Sequence, residues 1–302
     1  MRKFKMKRAF RKIRKRAKQF KKHPITKRNR ARALMSYIFF NIVVLFKNEI
    51  IYNWLGGLKI YIRKGDAGIV GNLYFGLYEF NESMFLLHFL REDDVFLDIG
   101  SNLGHYSLLA SGIHKCKSIA IEPIPKTYKQ LLRQINLNNL AGYIKALNIG
   151  VSSENLEMYF STNRGTMNRI VTKGYNNSIK IPVKTVDSII NEDINLIKID
   201  VEGYEKFVLL GCKETLQKSS LKAIIIEINE SGNIYNIKNE EIENILFAHG
   251  FIPFKYDPIN RKLINLNSYN KEQFNTIFIR DYEFVKERIL KSKSINIWNK
   301  KI

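Results

Sequence analysis

From residue 50 onwards the chain alternates short β-branched apolar runs with longer segments whose apolar positions recur every three or four residues. The first kind predicts buried strands and the second amphipathic helices. KIYIRKG (59–65) and GIVGNLYF (68–75) read as an opening hairpin, and EFNESMFLLHFL (79–90) as a helix. DVFLDI (94–99) is a strand, followed by a glycine loop and a helix to about Ser111. SIAIEP (118–123) and YIKALNIG (143–150) are strands on either side of a helix from Pro125 to Asn138. LEMYFST (156–162) and KIPVKT (180–185) read as antiparallel additions. TVDSII (185–190) is a short helix, INLIKID (194–200) a strand, and YEKFVLLGCKETL (204–216) a single helix. AIIIEIN (223–229), a helix stopping at Gly250, and the strands FIPFKY (251–256) and NTIFIR (275–280) complete the series. Such alternation predicts an α/β fold: a doubly wound, mostly parallel sheet of seven strands.

The loop in VFLDIGSNLGHYSLL (95–109) carries the most chemistry. Glycine suits a sharp bend, and Ser101 or Asn102 can cap the helix beginning near Leu103, leaving free N–H groups at the strand end. A phosphate would accept that arrangement, but two features argue against a dinucleotide. The spacing Gly100-x-x-x-Gly104 has Ser107 where the fingerprint needs a third glycine, and Asp98 at the strand end repels a pyrophosphate. No G-x-x-x-x-G-K-[ST] loop is present. Glu122, closing the next strand about 20 residues on, is placed to take the hydroxyls of a ribose. A nucleoside with a cationic, non-phosphorylated tail fits both acids: S-adenosylmethionine. An ordinary tight strand-to-helix turn is the competing reading of the loop taken alone.

Asp98, Asp200 and Glu227 each close a strand, which is where open α/β sheets bind ligands. Carboxylates that converge need a cation, and Lys198, a sulfonium or a divalent metal would each serve, so the metal question stays open. In KIDVEGYE (198–205), Lys198 and Asp200 share a face, and Asp200 and Glu202 stand at the turn, where either can take a proton from an attacking hydroxyl. The alternative is a pair of acids serving only the helix N-terminus. His105 is not expected to be the base.

Charge divides the chain. Net charge is +22, yet residues 1–48 hold 18 of the 50 Lys and Arg and no acid, leaving 32 basic against 28 acidic residues beyond. The extension, 1–48, therefore stands apart from a nearly neutral domain spanning 50–290. MRKFKMKRAFRKIRKRAKQFKKH reads as a basic helix interspersed with Phe4, Phe10, Ile13 and Phe20. A solvated tail, a nucleic-acid contact and an anionic membrane contact compete for it. ALMSYIFFNIVVLF (33–46) is too short for a span. It suits docking in a lipid interface, or a helix covering one edge of the domain. Cys116 and Cys212 lack metal or redox spacing and read as free thiols of a reducing, cytoplasmic compartment.

Taken together, VFLDIGSNLGHYSLLA, IAIEPIPKTYKQL, QINLNNL, NIGVSS, VKTVDSII, LIKIDVEGYEKFVLLG and IIIEIN, in that order over about residues 70–230, resemble the FkbM-type S-adenosylmethionine-dependent methyltransferases. The resemblance implies a Rossmann-like class I methyltransferase sheet. It places Asp98, Gly100, Asn102 and Gly104 around the cofactor and Glu122 on its ribose. Ser101, where the family often has alanine, joins the cofactor set from its place in the loop, and His105 stands where an aromatic is frequent. Asp200 and Glu202 would lie beside the transferring methyl group or the acceptor. Lys198, from its place on the same strand face, is read as orienting the acceptor or tuning the carboxylate. The resemblance also implies O-methylation of a carbohydrate or glycolipid hydroxyl, or of a related metabolite. The basic arm lies outside the shared motifs. The cytoplasmic location and a peripheral membrane contact through residues 1–46 rest instead on the cysteines and on charge and apolar pattern. A nucleic-acid methyltransferase lacks an N-P-P-[YF] motif here, and the intact KIDVEG block speaks against a non-catalytic scaffold.

Overall fold

The computed structural model describes residues 2–302, with side chains over 11–66, 68–165 and 167–302. Phe4 and Phe10, counted above in the basic helix, have side chains outside those described, and Met1 is outside altogether. The chain forms two compact units, Met1–Phe80 with Ser294–Ile302, and Asn81–Lys293.

In the first unit, α1 (Arg2–Lys22) and α2 (Arg30–Val43) precede a hairpin of β1 (Glu49–Asn53) and β2 (Lys59–Arg63), then α3 (Ala67–Phe75). The basic segment is thus helical, and its C-terminal end is anchored. Phe20 is buried with its ring edge-on to Phe75 at 5.3 Å, and Thr26 Oγ1 donates to the Phe20 carbonyl. His23 Nε2 reaches the Leu77 carbonyl at 3.2 Å. GIVGNLYF, expected as a strand, is α3 instead. Ile69 to Phe75 are buried on every side, so the run has no polar face from which a period could be read. The strand that pairs with KIYIR is EIIYN, antiparallel to it, with Glu49 opposite Arg63 and Asn53 opposite Lys59.

The second unit continues α4 (Phe80–Phe89), β3 (Val95–Ile99), α5 (His105–His114), β4 (Lys117–Ile121), α6 (Pro125–Leu137) and β5 (Ile144–Leu147). A small four-stranded sheet follows: β6 (Gly150–Val151), β7 (Leu156–Ser161), β8 (Ile170–Val171) and β9 (Ser178–Lys184), with β7 and β9 antiparallel as expected. Then come α7 (Val186–Ile189), β10 (Leu196–Ile199), α8 (Glu205–Leu210), α9 (Lys213–Gln217), β11 (Ala223–Glu227) and α10 (Asn239–Ala248). The unit ends with β12 (Ile252–Asp257), β13 (Lys262–Asn265), β14 (Asn275–Ile279) and α11 (Tyr282–Leu290); β15 (Asn296–Ile297) and β16 (Lys300–Lys301) return to the first unit.

The main sheet runs β13-β12-β14-β11-β10-β3-β4-β5. It has eight strands rather than seven, because β13 extends the antiparallel end. β5, β4, β3, β10 and β11 are mutually parallel; β14, β12 and β13 are antiparallel. Leu97, Ile99, Ile197, Ile199, Ile224 and Ile226 join one apolar core with Val208, Leu209, Leu216 and Leu246. YEKFVLLGCKETL is two helices, not one. The Asp187 carboxylate accepts N–H bonds from Glu214 and Thr215 and the Thr215 hydroxyl, giving the second half its own N-terminus.

Candidate active site at the carboxyl edge of the sheet

Asp98 is the last residue but one of β3, and the chain turns after Ile99 through residues 100–104 into α5. Asp98 is buried; its Oδ2 accepts the Ser107 N–H at 3.1 Å and the Ser107 hydroxyl, so the carboxylate holds the first turn of α5. Burial pushes Asp98 up to about 6, against the hydrogen bonds from Ser107 and the nearby charge of Lys198. Gly100 lies at φ +79°, and a Cβ there would stand 1.8 Å from the Asp200 carbonyl oxygen. That residue must be glycine because two strand ends pass against each other. Gly104, also at positive φ, opens α5.

Glu122, at the end of β4, is buried and pushed up to about 7 by burial. Its Oε2 accepts the Asn102 N–H at 3.1 Å and its Oε1 the Ile124 N–H at 2.9 Å. One carboxylate thereby ties the glycine loop to the neighbouring strand end. Two polar atoms of this loop have no partner although buried, Ser101 Oγ and Asn102 Oδ1. Buried polar atoms left this way mark places where a ligand completes the hydrogen bonding.

Neighbouring β10 and β11 supply the rest. Lys198 is 1% exposed, with Nζ at 3.3 Å from Asp200 Oδ2 and 3.1 Å from Asn275 Oδ1. It also lies 5.6 Å from the centre of the Tyr106 ring. Asp200 is the more open partner, with a third of its side chain exposed. Glu227 is hydrogen-bonded to Asp200 and pushed up to about 9, first by burial and then by the Asp200 charge. It therefore keeps its proton near neutrality and donates it to Asp200. Glu202, at φ +55°, is pushed up to about 7 by burial and by Asp200 and Glu205. Gly203, at φ +100°, lets this turn pass the backbone at Ser231, 2.6 Å from where its Cβ would be.

The edge thus brings together Asp98, Lys198, Asp200, Glu202 and Glu227. Glu122 stands one strand further on, beside Asn102. Sequence reasoning missed Glu205, whose Oε1 holds the Val201 and Gly203 N–H groups; its signal was the third acid in DVEGYE. It also missed Asn275, on an antiparallel strand distant in sequence, and Arg169, whose charge acts on Glu202 and Tyr235. His105 is half-buried, pairs with Ser83 Oγ at 2.8 Å, and is pushed down to about 3 by loss of solvent around the ring and by Lys198. The shift favours the neutral imidazole. Among the described residues, no group of three His, Cys, Asp or Glu is arranged to hold a metal ion.

The sequence model of the methyltransferase FkbM domain matches residues 98–253, just over half of the chain, from Asp98 of the loop to the start of β12. The chain belongs to the FkbM methyltransferase family. Hexuronic acid methyltransferase AglP of Haloferax volcanii is 32% identical over 151 residues, covering 48% of this chain and 59% of that protein. Methyltransferase sdnD of Sordaria araneosa is 25% identical over 199 residues, covering 54% of this chain and 75% of that one. The solved structure of methyltransferase FkbM from Methylobacillus flagellatus KT aligns with 82% of this chain and 60% of its own, at 14% identity and a TM-score of 0.45. The chain thus spans about three fifths of the length of the first of these relatives.

The FkbM domain is that of an S-adenosylmethionine-dependent methyltransferase, and S-adenosylmethionine is its cofactor. The residues present fit that group. Ser101 and Asn102 offer an unspent hydroxyl and amide oxygen on the loop, and the strand ends beside it are lined by acids suited to a cation.

Proposed function

We propose that this chain methylates a hydroxyl of a carbohydrate or glycolipid, with Asp200 accepting the hydroxyl proton. The observation that carries this reading is the Lys198–Asp200–Glu227 group at the ends of two adjacent strands, next to the cofactor loop. S-adenosylmethionine, when bound, supplies an electrophilic methyl group. Ser101, Asn102 and Glu122 would hold it, with Asp98, Gly100 and Gly104 fixing the loop that presents them.

Asp200 is suited to the base role for three reasons. It is the open member of the acidic group, Lys198 pairs with its Oδ2, and Glu227 donates to the same carboxylate. Lys198 is held from behind by Asn275 and so fixes the carboxylate rather than leaving with a substrate. Glu202 flanks the acceptor side. Alignment of the hydroxyl with the methyl group contributes most of the acceleration in such a displacement.

Similarity to a hexuronic acid methyltransferase supports an acceptor bearing a carboxylate. Arg169 is the cation placed for it: its charge reaches Glu202, and its buried Nε has no hydrogen-bond partner. We assign the chain to a reducing, cytoplasmic location, an assignment supported by the unpaired thiols of Cys116 and Cys212.

The purified chain should bind S-adenosylhomocysteine in calorimetry; no heat at millimolar ligand overturns the reading. Asp200→Asn should keep that affinity while methyl incorporation into uronic-acid oligosaccharides or extracted glycolipids falls about 10²- to 10⁴-fold. Unchanged turnover removes Asp200 from the base role.

A further inference from the structure

Within the first unit, α2 carries two unlike faces. Ala33 and Phe40 are buried, and the rings of Tyr37 and Phe40 pack edge-on against Tyr74 at 5.2 and 5.9 Å. The opposite side is apolar and open. Met35, Ile38, Phe39, Ile42, Leu45 and Phe46 are all between 40% and 83% exposed. At 100° per residue, Met35, Ile38, Phe39, Ile42 and Phe46 fall within an arc of about 100°. The backbone keeps turning past Val43, with the Phe46 and Lys47 N–H groups both bonded to the Val43 carbonyl, so the last two residues extend the same stripe. Single exposed apolar side chains need no explanation, but six side by side mark a contact surface.

We propose that this stripe docks the chain on the surface of an anionic lipid bilayer, lying in the interface with α1 alongside. Charge identifies the occupant. Residues 1–48 contain 18 Lys and Arg and no acid, and Arg30, Arg32 and Lys47 bracket the stripe at its two ends. A nucleic-acid backbone satisfies the charge but has no use for an open apolar stripe. A second copy satisfies the stripe but brings the same 18 positive charges against the first. An acidic bilayer meets both, through apolar insertion and headgroup attraction. The helix lies flat rather than spans: 14 residues rise about 21 Å against a hydrocarbon core of about 30 Å. Among the described residues, no helix is long and apolar enough to cross a membrane.

The test is co-sedimentation of the full chain with vesicles of equimolar phosphatidylglycerol and phosphatidylcholine, compared with phosphatidylcholine alone. The chain should pellet with the anionic vesicles, and Phe39→Glu with Ile42→Glu should weaken that binding about tenfold or more. Leu45→Ser with Phe46→Ser, placed beyond the packed turns of α2, is the second variant and should weaken it in the same direction. Circular dichroism reports folding of each. A parent that stays in the supernatant, or variants that pellet like the parent, overturn the proposal. So does equal binding to neutral vesicles, or a parent dimer that the variants split into monomers. Vesicle binding requires no methyl transfer, so the outcome is independent of the reading of the active site.

Discussion

Glu227 and Asp200 form a pair in which one carboxyl group is a donor and the other an acceptor, and this division sets what substitution should do. A glutamine at 227 keeps a donor N–H in nearly the same place, whereas an alanine removes it and leaves Asp200 with Lys198 alone. Glu227→Gln should therefore retain most methyl transfer at neutral pH, while Glu227→Ala should lower kcat about tenfold or more, in line with loss of a hydrogen bond to a charged group. Equal activities would show that Glu227 does not support the base. Gly100 makes a harder demand. A methyl group there meets the Asp200 carbonyl oxygen in a backbone conformation that also disfavours a side chain, so Gly100→Ala should destabilise by about 3 kcal/mol in urea denaturation. Arg169→Met should raise KM about tenfold for an acceptor carrying a carboxylate and leave KM for a neutral sugar unchanged. A uniform effect on both would end its role in selecting the acceptor.

The parallel strands were legible one by one, because each is a short β-branched run ending in an acid or a turn signal. Their lateral order was not, since nothing local in VFLDI, LIKI or AIIIE says which neighbours which. The order matters because it places β10 between β3 and β11 and so gathers Asp98, Lys198, Asp200 and Glu227. The antiparallel end carries Asn275, the second partner of Lys198, and a position 77 residues away gives no sequence signal of that contact. β13 escaped because KLIN is short and mostly exposed, so its alternation is weak. Buried GIVGNLYF failed for the reverse reason, having no polar face at all. The acids do gather at one edge of the sheet, but which of them fix loops and which remain open depends on hydrogen bonds that spacing does not encode. Asp187 is the clearest instance: its value lies in starting α9, 27 residues later, by accepting three hydrogen bonds. Asp187→Ala should cost about 1–2 kcal/mol in urea denaturation, with Asp187→Asn recovering part of it. No change in the midpoint would mean that α9 is held by packing alone.

The whole chain combines two sets of buried ionisable groups whose effects on stability oppose each other. His23, His105 and His114 are pushed down to about 4, 3 and 4, mainly by burial. Folding favours their neutral form, so their contribution is fully present above the ordinary histidine value near 6.5 and is lost as pH falls towards 3. Asp98, Glu122, Glu202, Glu205 and Glu227 are pushed the other way, to about 6, 7, 7, 7 and 9, with burial the first cause in each. Folding favours their protonated form, so their contribution is fully present below the ordinary carboxylate range and is lost as pH rises from there to 9. Five such acids outweigh three histidines through the region where both titrate. Stability should therefore peak near about pH 5, below neutrality, and fall steadily towards pH 9. Urea midpoints across that range check this, and a midpoint that rises from pH 6 to 9 contradicts the carboxylate assignments. Above about pH 8 Glu227 alone among these acids still titrates. Glu227→Gln should flatten that part of the curve and keep most of the fall between pH 5 and 7, which separates its contribution from those of the four acids that tie or flank the loops.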